Sequence, residues 1–332
     1  MGAAATSNAR HVLNTLRLAL IGFILLQYPV HSAAAETYPN HPIRLLVGFT
    51  PGGAADVSAR VITRKMAEAL GVNIVVENHA GAGGNIAAEI VATANPNGYT
   101  LYWSSVGPLT VSPALGIKLP YNPLTDFAPI GLGVLSCNVL SVRPNFPANT
   151  VAELIALAKA KPGQLNYSTQ GIASTGHLSG ELLRSLTGID IVQVAYKGGS
   201  ESLAALLGGE VEMGWLSGPS IRSIGPGRIK TIAITCAKRD AMLKDVPTFA
   251  EAGVPNFEAT FWYGLLAPAR TPSAVVTKLN RVLQAALTDA TVVQQLEAQG
   301  QTPAPSPPEK FAATIRDDLA KWMKVFSGTA QR

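Results

Sequence analysis

Five short segments of the sequence combine glycine with hydroxyl and amide side chains, and they contain almost no lysine or arginine. Glycine lets the backbone approach a ligand closely, and the first N–H groups of a helix have no partner within the helix. Such groups can bind an anion with help from the helix dipole. The number of these segments favours a site for a small carboxylate, although any single one could be an ordinary turn. They are Thr50–Asp56, Gly81–Asn85, Ser104–Gly107, Gln170–His177 and Tyr196–Ser200.

These segments follow predicted strands and most of them precede predicted helices. Short apolar runs predict the strands, and apolar residues at helical spacing follow the loops. This alternation predicts an α/β fold with parallel sheets covered by helices on both faces. Ligands of such sheets bind beyond the carboxyl ends of the strands. The runs are Ile43–Phe49, Ile74–Glu77, Tyr99–Ser104, Leu165–Thr169 and Ile191–Ala195, with a longer run at Ile130–Val142.

The sequence lacks the motifs of common enzyme classes. Gly81–Ile86 is not a dinucleotide fingerprint, because Ile86 stands where the third glycine should be, and Walker A and G-x-S-x-G motifs are absent. His177 and Glu181 are one helical turn apart, which favours a local pair over an acid–base couple. A Ser-His-Asp arrangement stays open as an alternative.

The composition is that of a globular protein. The chain has 332 residues, of which 47% are hydrophobic and 14% charged, and this length predicts about two domains. Residues 1–35 are typical of a secretory signal, with Arg10 and Arg17 before the apolar run Leu18–Leu26 and a small-residue site ending at Ala35. Nine apolar residues are too few for a spanning helix, which needs about 20. We therefore expect export, with cleavage after Ala35.

Removal of this leader also lowers the net charge of the chain. The formal charge of +5 falls to +3 once Arg10 and Arg17 are removed. The remaining basic residues form no cluster, so a nucleic acid partner is not expected.

Cys137 and Cys236 are the only cysteines. Both lie in apolar runs typical of strands, and an exported protein can form disulfides. Two buried thiols are slightly favoured over one bridge. No histidine stands at ligand spacing to a cysteine, so we expect neither a metal site nor a cofactor.

Eight groups of residues, in this order, resemble one family. They are Phe49–Asp56, Glu77–Asn85, Pro96–Leu101, Leu165–Ser168, Ser174–Glu181, Ala195–Gly199, Asp245–Thr248 and Trp262–Pro268. Together they are similar to the Bug family of periplasmic solute-binding receptors, which serve tripartite tricarboxylate transporters.

The resemblance implies a two-lobed type II periplasmic binding-protein fold in which each lobe has a mostly parallel sheet flanked by helices. Residues 36–135 and 259–332 would form lobe I, and residues 136–258 lobe II. A small carboxylate or amino-acid-like solute would bind in the cleft between the lobes.

The resemblance also assigns ligand-binding residues. The first lobe would contribute Pro51, Gly52, Gly53 and Asp56, and the second Ser168, Gly171, Ser174, Thr175 and His177. Weaker candidates are Asn85, Ser104, Ser105, Tyr196 and Lys197. Asp56 would suit a ligand amine, or would serve as a helix-start cap.

Three functions remain open at this stage. The leading one is a periplasmic, monomeric binding protein that is not an enzyme and delivers a carboxylate to membrane transporter subunits. The second is a secreted hydrolase that uses a serine and His177. The third is a sensory subunit that presents its closed form to a signalling receptor.

Overall fold

The computed structural model describes residues 38–217, 220, 221, 224, 227–240 and 243–327. The predicted signal peptide, residues 1–35, lies outside the described residues. In the part of the chain that is described, no helix has both the length and the apolar character needed to cross a membrane.

Strands and helices alternate through most of the chain, as the sequence predicts. The strands are β1 (Ile43–Val47), β2 (Ile74–Asn78), β3 (Thr100–Ser105), β4 (Phe127–Val142), β5 (Asn166–Thr169), β6 (Val192–Ala195), β7 (Met213–Ser217), β8 (Lys230–Ile234), β9 (Thr260–Pro268) and β10 (Gln301–Pro303). The α-helices are α1 (Ala54–Leu70), α2 (Asn85–Ala92), α3 (Ser112–Ala114), α4 (Val151–Ala160), α5 (Thr175–Thr187), α6 (Gly199–Gly208), α7 (Ser273–Thr288), α8 (Ala290–Glu297) and α9 (Pro308–Ser327). A 3₁₀ turn (Ala82–Gly84) precedes α2, and a π-helical turn (Gly107–Val111) precedes α3.

The strands form one sheet in the order β2-β1-β3-β9-β4-β7-β5-β6, and β10 and β8 also pair with β4. Strand β4 changes partners along its length. Phe127–Cys137 pairs with β9, and Asn138–Val142 pairs with β7. We call the strands on the β9 side the first half-sheet and those on the β7 side the second half-sheet.

The predicted parallel pairing holds at both ends of the sheet. β1 pairs in parallel with β2 and β3, and β5 with β6 and β7. The centre is antiparallel, because β9 lies between β3 and β4 and runs opposite to both. An alternation of strands and helices predicts parallel pairing only for neighbouring strands that a crossover helix connects. β9 is far in sequence from β3 and β4, so the rule does not apply to it.

Cys137 and Cys236 form a disulfide, with their Cα atoms 5.5 Å apart. The prediction of two reduced thiols is therefore wrong. β4 and β8 pair in an antiparallel register that sets Val139 opposite Ile234. Two residues further along, the same register brings Cys137 opposite Cys236, within the distance that a disulfide needs. This register joins segments about 100 residues apart, so local sequence patterns do not reveal it.

Close packing fixes the position of helix α5 on the second half-sheet. A Cβ atom at Gly180 would lie 2.6 Å from Cε2 of Tyr167, so only glycine lets α5 approach β5 this closely. Ser174 is the N-cap of this helix, and its Oγ accepts a hydrogen bond from the His177 N–H at 3.4 Å. The start of α5 is therefore held at the carboxyl end of β5.

Aromatic packing supports β7 in the same half-sheet. Trp215 lies 5.7 Å from Phe249, and Phe249 stacks on Phe257 at 4.0 Å between ring centroids. All three side chains are buried. Such contacts anchor β7, whose last residue, Ser217, reaches the candidate site described next.

Candidate ligand-binding site

A small pocket lies where the starts of α1, α5 and α6 meet strands of both half-sheets. The space in it that water-sized molecules can occupy is about 20 Å³, little more than one water molecule needs. None of the described residues that line it is charged. They are Phe49, Gly53, Ala54, Ala55, Asn138, Gln170, Ser174, Thr175, Gly199, Ser217 and Tyr263.

Three helix N-termini converge on this pocket. Gly53, Ser174 and Gly198 are the N-caps of α1, α5 and α6, and the first residues of all three helices line the pocket. The N–H groups of a first helical turn have no intrahelical partner and carry the positive end of the helix dipole. The pocket is thus suited to an anion although its described lining residues include no lysine or arginine.

The amide side chains of the pocket are held by hydrogen bonds. Asn138 donates from Nδ2 to Ser179 Oγ at 3.3 Å and accepts from Thr175 Oγ1 at 3.4 Å. Gln170 donates from Nε2 to the Trp215 carbonyl at 2.6 Å and accepts from the Gly176 N–H at 3.3 Å. These bonds hold both amide side chains in place at the pocket.

The loops of the two half-sheets touch each other around the pocket. Ser200 Oγ donates to the Pro51 carbonyl at 2.9 Å. A Cβ atom at Gly83 would clash with the Ile172 carbonyl oxygen, and one at Gly107 would lie 2.7 Å from the Ala173 carbonyl oxygen. Glycine at these positions permits backbone-to-backbone contact, so the pocket is closed in this arrangement.

Three of the predicted ligand residues line the pocket: Gly53, Ser174 and Thr175. Pro51 and Gly52 lie in the loop before them and contact Ser200 rather than the pocket interior. Gly171 has a φ of +116° and lies against Gly83, which makes it part of the contact between the half-sheets.

Asp56 is buried but does not line the pocket. Its carboxylate accepts hydrogen bonds from the Gly52 N–H at 3.0 Å, from Arg60 Nε at 2.9 Å and from Asn78 Nδ2 at 2.9 Å. Burial acts to raise the pKa of Asp56, but the hydrogen bonds from Arg60, Gly52 and Asn78 outweigh it and lower the pKa. This carboxylate holds the loop after β1, and its partners leave little capacity for a ligand amine.

Asn85 and Ser168 bind other parts of the protein. Asn85 Oδ1 accepts from Ser112 Oγ at 3.1 Å and from Tyr121 Oη at 2.9 Å. Ser168 Oγ donates to the Ser202 carbonyl at 3.1 Å and lies 2.8 Å from Ser202 Oγ. Neither side chain lines the pocket.

The remaining weak candidates also lie outside the pocket lining. Tyr196 Oη donates to Glu210 at 3.0 Å, and Lys197 is exposed. Ser104 Oγ donates to the carbonyl of Ser105 at 3.0 Å. Ser105 itself is buried, and its Oγ has no hydrogen-bond partner among the described residues.

His177 lies beside the pocket as a neutral imidazole. Its Nδ1 accepts a hydrogen bond from the Ala173 N–H at 3.0 Å, so this nitrogen carries no proton. Nε2 lies 3.9 Å from Glu181 Oε1, beyond hydrogen-bond distance. Burial lowers the pKa of His177 below its ordinary value of 6.5, and attraction to Glu181 opposes this only in part.

The arrangement gives no support to a serine–histidine couple. Ser174 Oγ accepts from the backbone N–H of His177, not from its ring, and Nδ1 is occupied by Ala173. Glu181 Oε1 accepts a hydrogen bond from Arg184 at 2.9 Å, so the hydrogen-bond partner of Glu181 is Arg184 and not His177, the local partner that the sequence favours.

The lowered pKa of His177 predicts a pH dependence of stability. The unfolded chain binds a proton near pH 6.5 and the folded chain only at lower pH, so the free energy of unfolding should fall as pH drops below 6.5. The slope from one group is at most about 1.4 kcal/mol per pH unit. His177→Asn keeps an acceptor for the Ala173 N–H and removes the titration. Urea unfolding at pH 7.0 and 5.5 should show a smaller loss for this variant than for the wild type; equal losses would contradict the prediction.

Sequence reasoning did not single out eight lining residues as ligand contacts. Ala54, Ala55, Gln170 and Gly199 do fall inside the predicted glycine-rich loops. Phe49 and Tyr263 stand in segments that resemble the Bug family, and the amide of Asn138 within an apolar run is a signal of a polar role. Ser217 had no signal, because the strand that carries it was not predicted.

Comparisons with known proteins identify the family. The family model described as "Tripartite tricarboxylate transporter family receptor" matches residues 58–329. The chain belongs to this receptor family. It is 35% identical over 321 residues to protein BugT of Bordetella pertussis, covering 96% of this chain and 98% of BugT.

Solved structures of similar proteins support the same family and the α/β fold. MatC from Rhodopseudomonas palustris, solved with bound malate, is 33% identical, with a TM-score of 0.82 over 87% of this chain and 99% of MatC. An R. palustris protein solved with adipate is 35% identical, with a TM-score of 0.83 over 87% of this chain and 97% of that protein. Members of the receptor family are periplasmic solute-binding proteins of the Bug type, and those two relatives hold small dicarboxylates.

Proposed function

We propose that this protein is a periplasmic, monomeric solute-binding receptor that captures a small dicarboxylate and delivers it to membrane transporter subunits, and that it is not an enzyme. The observation that carries the proposal is the pocket into which three helix N-termini converge, with no charged side chain among the described lining residues. Helix N-termini and hydroxyl groups can hold one carboxylate in this setting. The malate and adipate of the two relatives are the ligand chemistry that such a pocket fits.

The proposal favours dicarboxylates over amino-acid-like ligands. An ammonium group in this pocket would find no carboxylate among the lining residues that the structure describes. Asp56, the nearest candidate by sequence, already accepts hydrogen bonds from three donors. A buried charge without a partner is costly, so an amino acid should bind more weakly than a diacid of similar length.

We also propose that the two half-sheets belong to two lobes, residues 36–135 with 259–332 and residues 136–258. Support comes from β4, which changes its partner between Cys137 and Asn138, and from β9, which begins at Thr260. The pocket has room for little more than one water molecule. A dicarboxylate is larger, so the half-sheets must separate for it to enter, and the pocket must be wider when it is bound. Closure around the ligand, with the loops of the half-sheets in contact, would be the state that a transporter recognises.

Isothermal titration tests the proposed ligand class. Adipate, malate and succinate are titrated alongside aspartate and glutamate, and we expect binding of at least one diacid and weaker or absent binding of the amino acids. Absence of binding to every diacid would contradict the proposal. Stronger binding of aspartate or glutamate than of the diacids would indicate that Asp56 contacts the amine of the ligand.

A matched pair of threonine variants tests the location of the site. Thr175→Val removes a hydroxyl at the start of α5 that lines the pocket, and we expect about a tenfold loss of diacid affinity from the lost hydrogen bond. Thr187→Val removes a hydroxyl at the end of the same helix, where Oγ1 donates to the Leu183 carbonyl at 2.6 Å. It should leave the affinity unchanged. Equal affinities for the two variants would place the ligand elsewhere.

A further inference from the structure

Tyr263 is a pocket residue whose side-chain hydroxyl has no hydrogen-bond partner among the described residues. Asn138, Gln170, Thr175 and Ser217 all form side-chain hydrogen bonds. The Tyr263 hydroxyl forms no hydrogen bond with the described residues. Its oxygen is not completely shielded from solvent. The tyrosine is only 8% exposed, and it lines the pocket.

A second unused hydroxyl lies beside it. Ser105 of β3 is directly opposite Tyr263 of β9 in the antiparallel register, so both side chains lie on the same face of the sheet. Ser105 is 1% exposed, and its Oγ has no partner among the described residues. Buried hydroxyl groups are nearly always hydrogen-bonded in folded proteins. Two adjacent unused hydroxyls are therefore an unexplained feature of this wall.

Burial also determines what the Tyr263 hydroxyl can do. It raises the pKa of Tyr263 well above the usual value, so the phenol keeps its proton and remains a donor. A neutral donor favours an acceptor such as a carboxylate oxygen, and it offers nothing to an alkyl group. A hydrogen bond to a charged acceptor is roughly twice as strong as one between neutral groups, so its loss should weaken binding measurably.

We propose that the Tyr263 hydroxyl donates to the second carboxylate of the ligand and sets the preference for dicarboxylates over monocarboxylates. This inference rests on the proposed function, in which the helix N-termini hold the first carboxylate. It adds to that function the contact of Tyr263 with the second carboxylate of the ligand. A monocarboxylate of the same length would place a methyl group at the phenol, which would then lack an acceptor.

The test compares adipate with hexanoate, which has the same carbon chain and one carboxylate fewer. Tyr263→Phe keeps the ring and removes the hydroxyl. We expect a roughly 10- to 100-fold loss of adipate affinity in this variant, with hexanoate affinity changed less than about twofold. Thermal unfolding of the variant shows whether the protein still folds.

Tyr196→Phe is the matched control, because the Tyr196 hydroxyl donates to Glu210 outside the pocket. It should bind both acids as the wild type does. Equal losses for adipate and hexanoate in Tyr263→Phe, or no loss for either, would overturn the role of the phenol while leaving the receptor function intact. Failure of the wild type to bind any diacid would instead overturn the proposed function itself.

Discussion

Replacing Cys137 and Cys236 together by serine is expected to lower the free energy of unfolding by about 4 kcal/mol. The disulfide closes a loop with a sequence separation of 99 residues, and a cross-link over so long a loop removes much conformational freedom from the unfolded chain. For a protein of this size the loss corresponds to a fall in melting temperature on the order of 10 °C. Chemical unfolding by urea, with and without reductant, measures it.

The reductant provides the control for this prediction. Both cysteines are only partly buried, so serine should fit in their place without a large packing cost. Reduction should destabilise the wild type to the level of the double variant and should leave the double variant itself unchanged. Two thiols that titrate in the untreated wild type, with equal stability of both proteins, would contradict the bridge.

Local patterns predicted the parallel parts of the fold because each such strand and its following helix lie close in sequence. The runs at Ile43–Phe49 and Leu165–Thr169 are strands β1 and β5, and each leads into a helix as expected. The antiparallel centre could not be predicted in this way. The pairing of β9 with β3 and β4, and that of β4 with β8, depends on contacts between distant segments. The error about the disulfide has the same origin.

The pocket residues divide in the same way, into those that local sequence predicts and those that depend on contacts between distant segments. Gly53, Ser174 and Thr175 stand at helix starts, which local sequence reveals, and all three line the pocket. Asn138 and Tyr263 reach it only because β4 and β9 pass through the centre of the sheet. Asp56 and Asn85 show the converse. Their polar side chains lie in glycine-rich segments, yet both bind neighbouring loops of the protein. A loop motif predicts where a site lies better than which of its side chains face the ligand.

Replacing Gly83 by alanine is expected to weaken ligand binding by roughly 30- to 150-fold, which corresponds to about 2 to 3 kcal/mol of steric cost in the closed form. A Cβ atom at this position would clash with the Ile172 carbonyl oxygen of the opposing half-sheet. Both groups are backbone, so neither can move without displacing its loop. The clash exists only when the half-sheets meet, and it therefore lowers the population of the closed form. Titration with the diacid that the wild type binds best measures the loss.

Gly71→Ala separates this effect from the cost of the backbone conformation. Gly71 has a φ of +71° and Gly83 one of +65°, but a Cβ atom at Gly71 would meet nothing within 4 Å. Both variants bear the cost of a left-handed alanine, about 1 to 2 kcal/mol in stability. Since that cost is the same in the open and closed forms, it does not alter affinity. Similar melting temperatures with weak binding only in Gly83→Ala would tie the loss to closure. Wild-type affinity in both variants would show that the ligand is held without contact between Gly83 and Ile172.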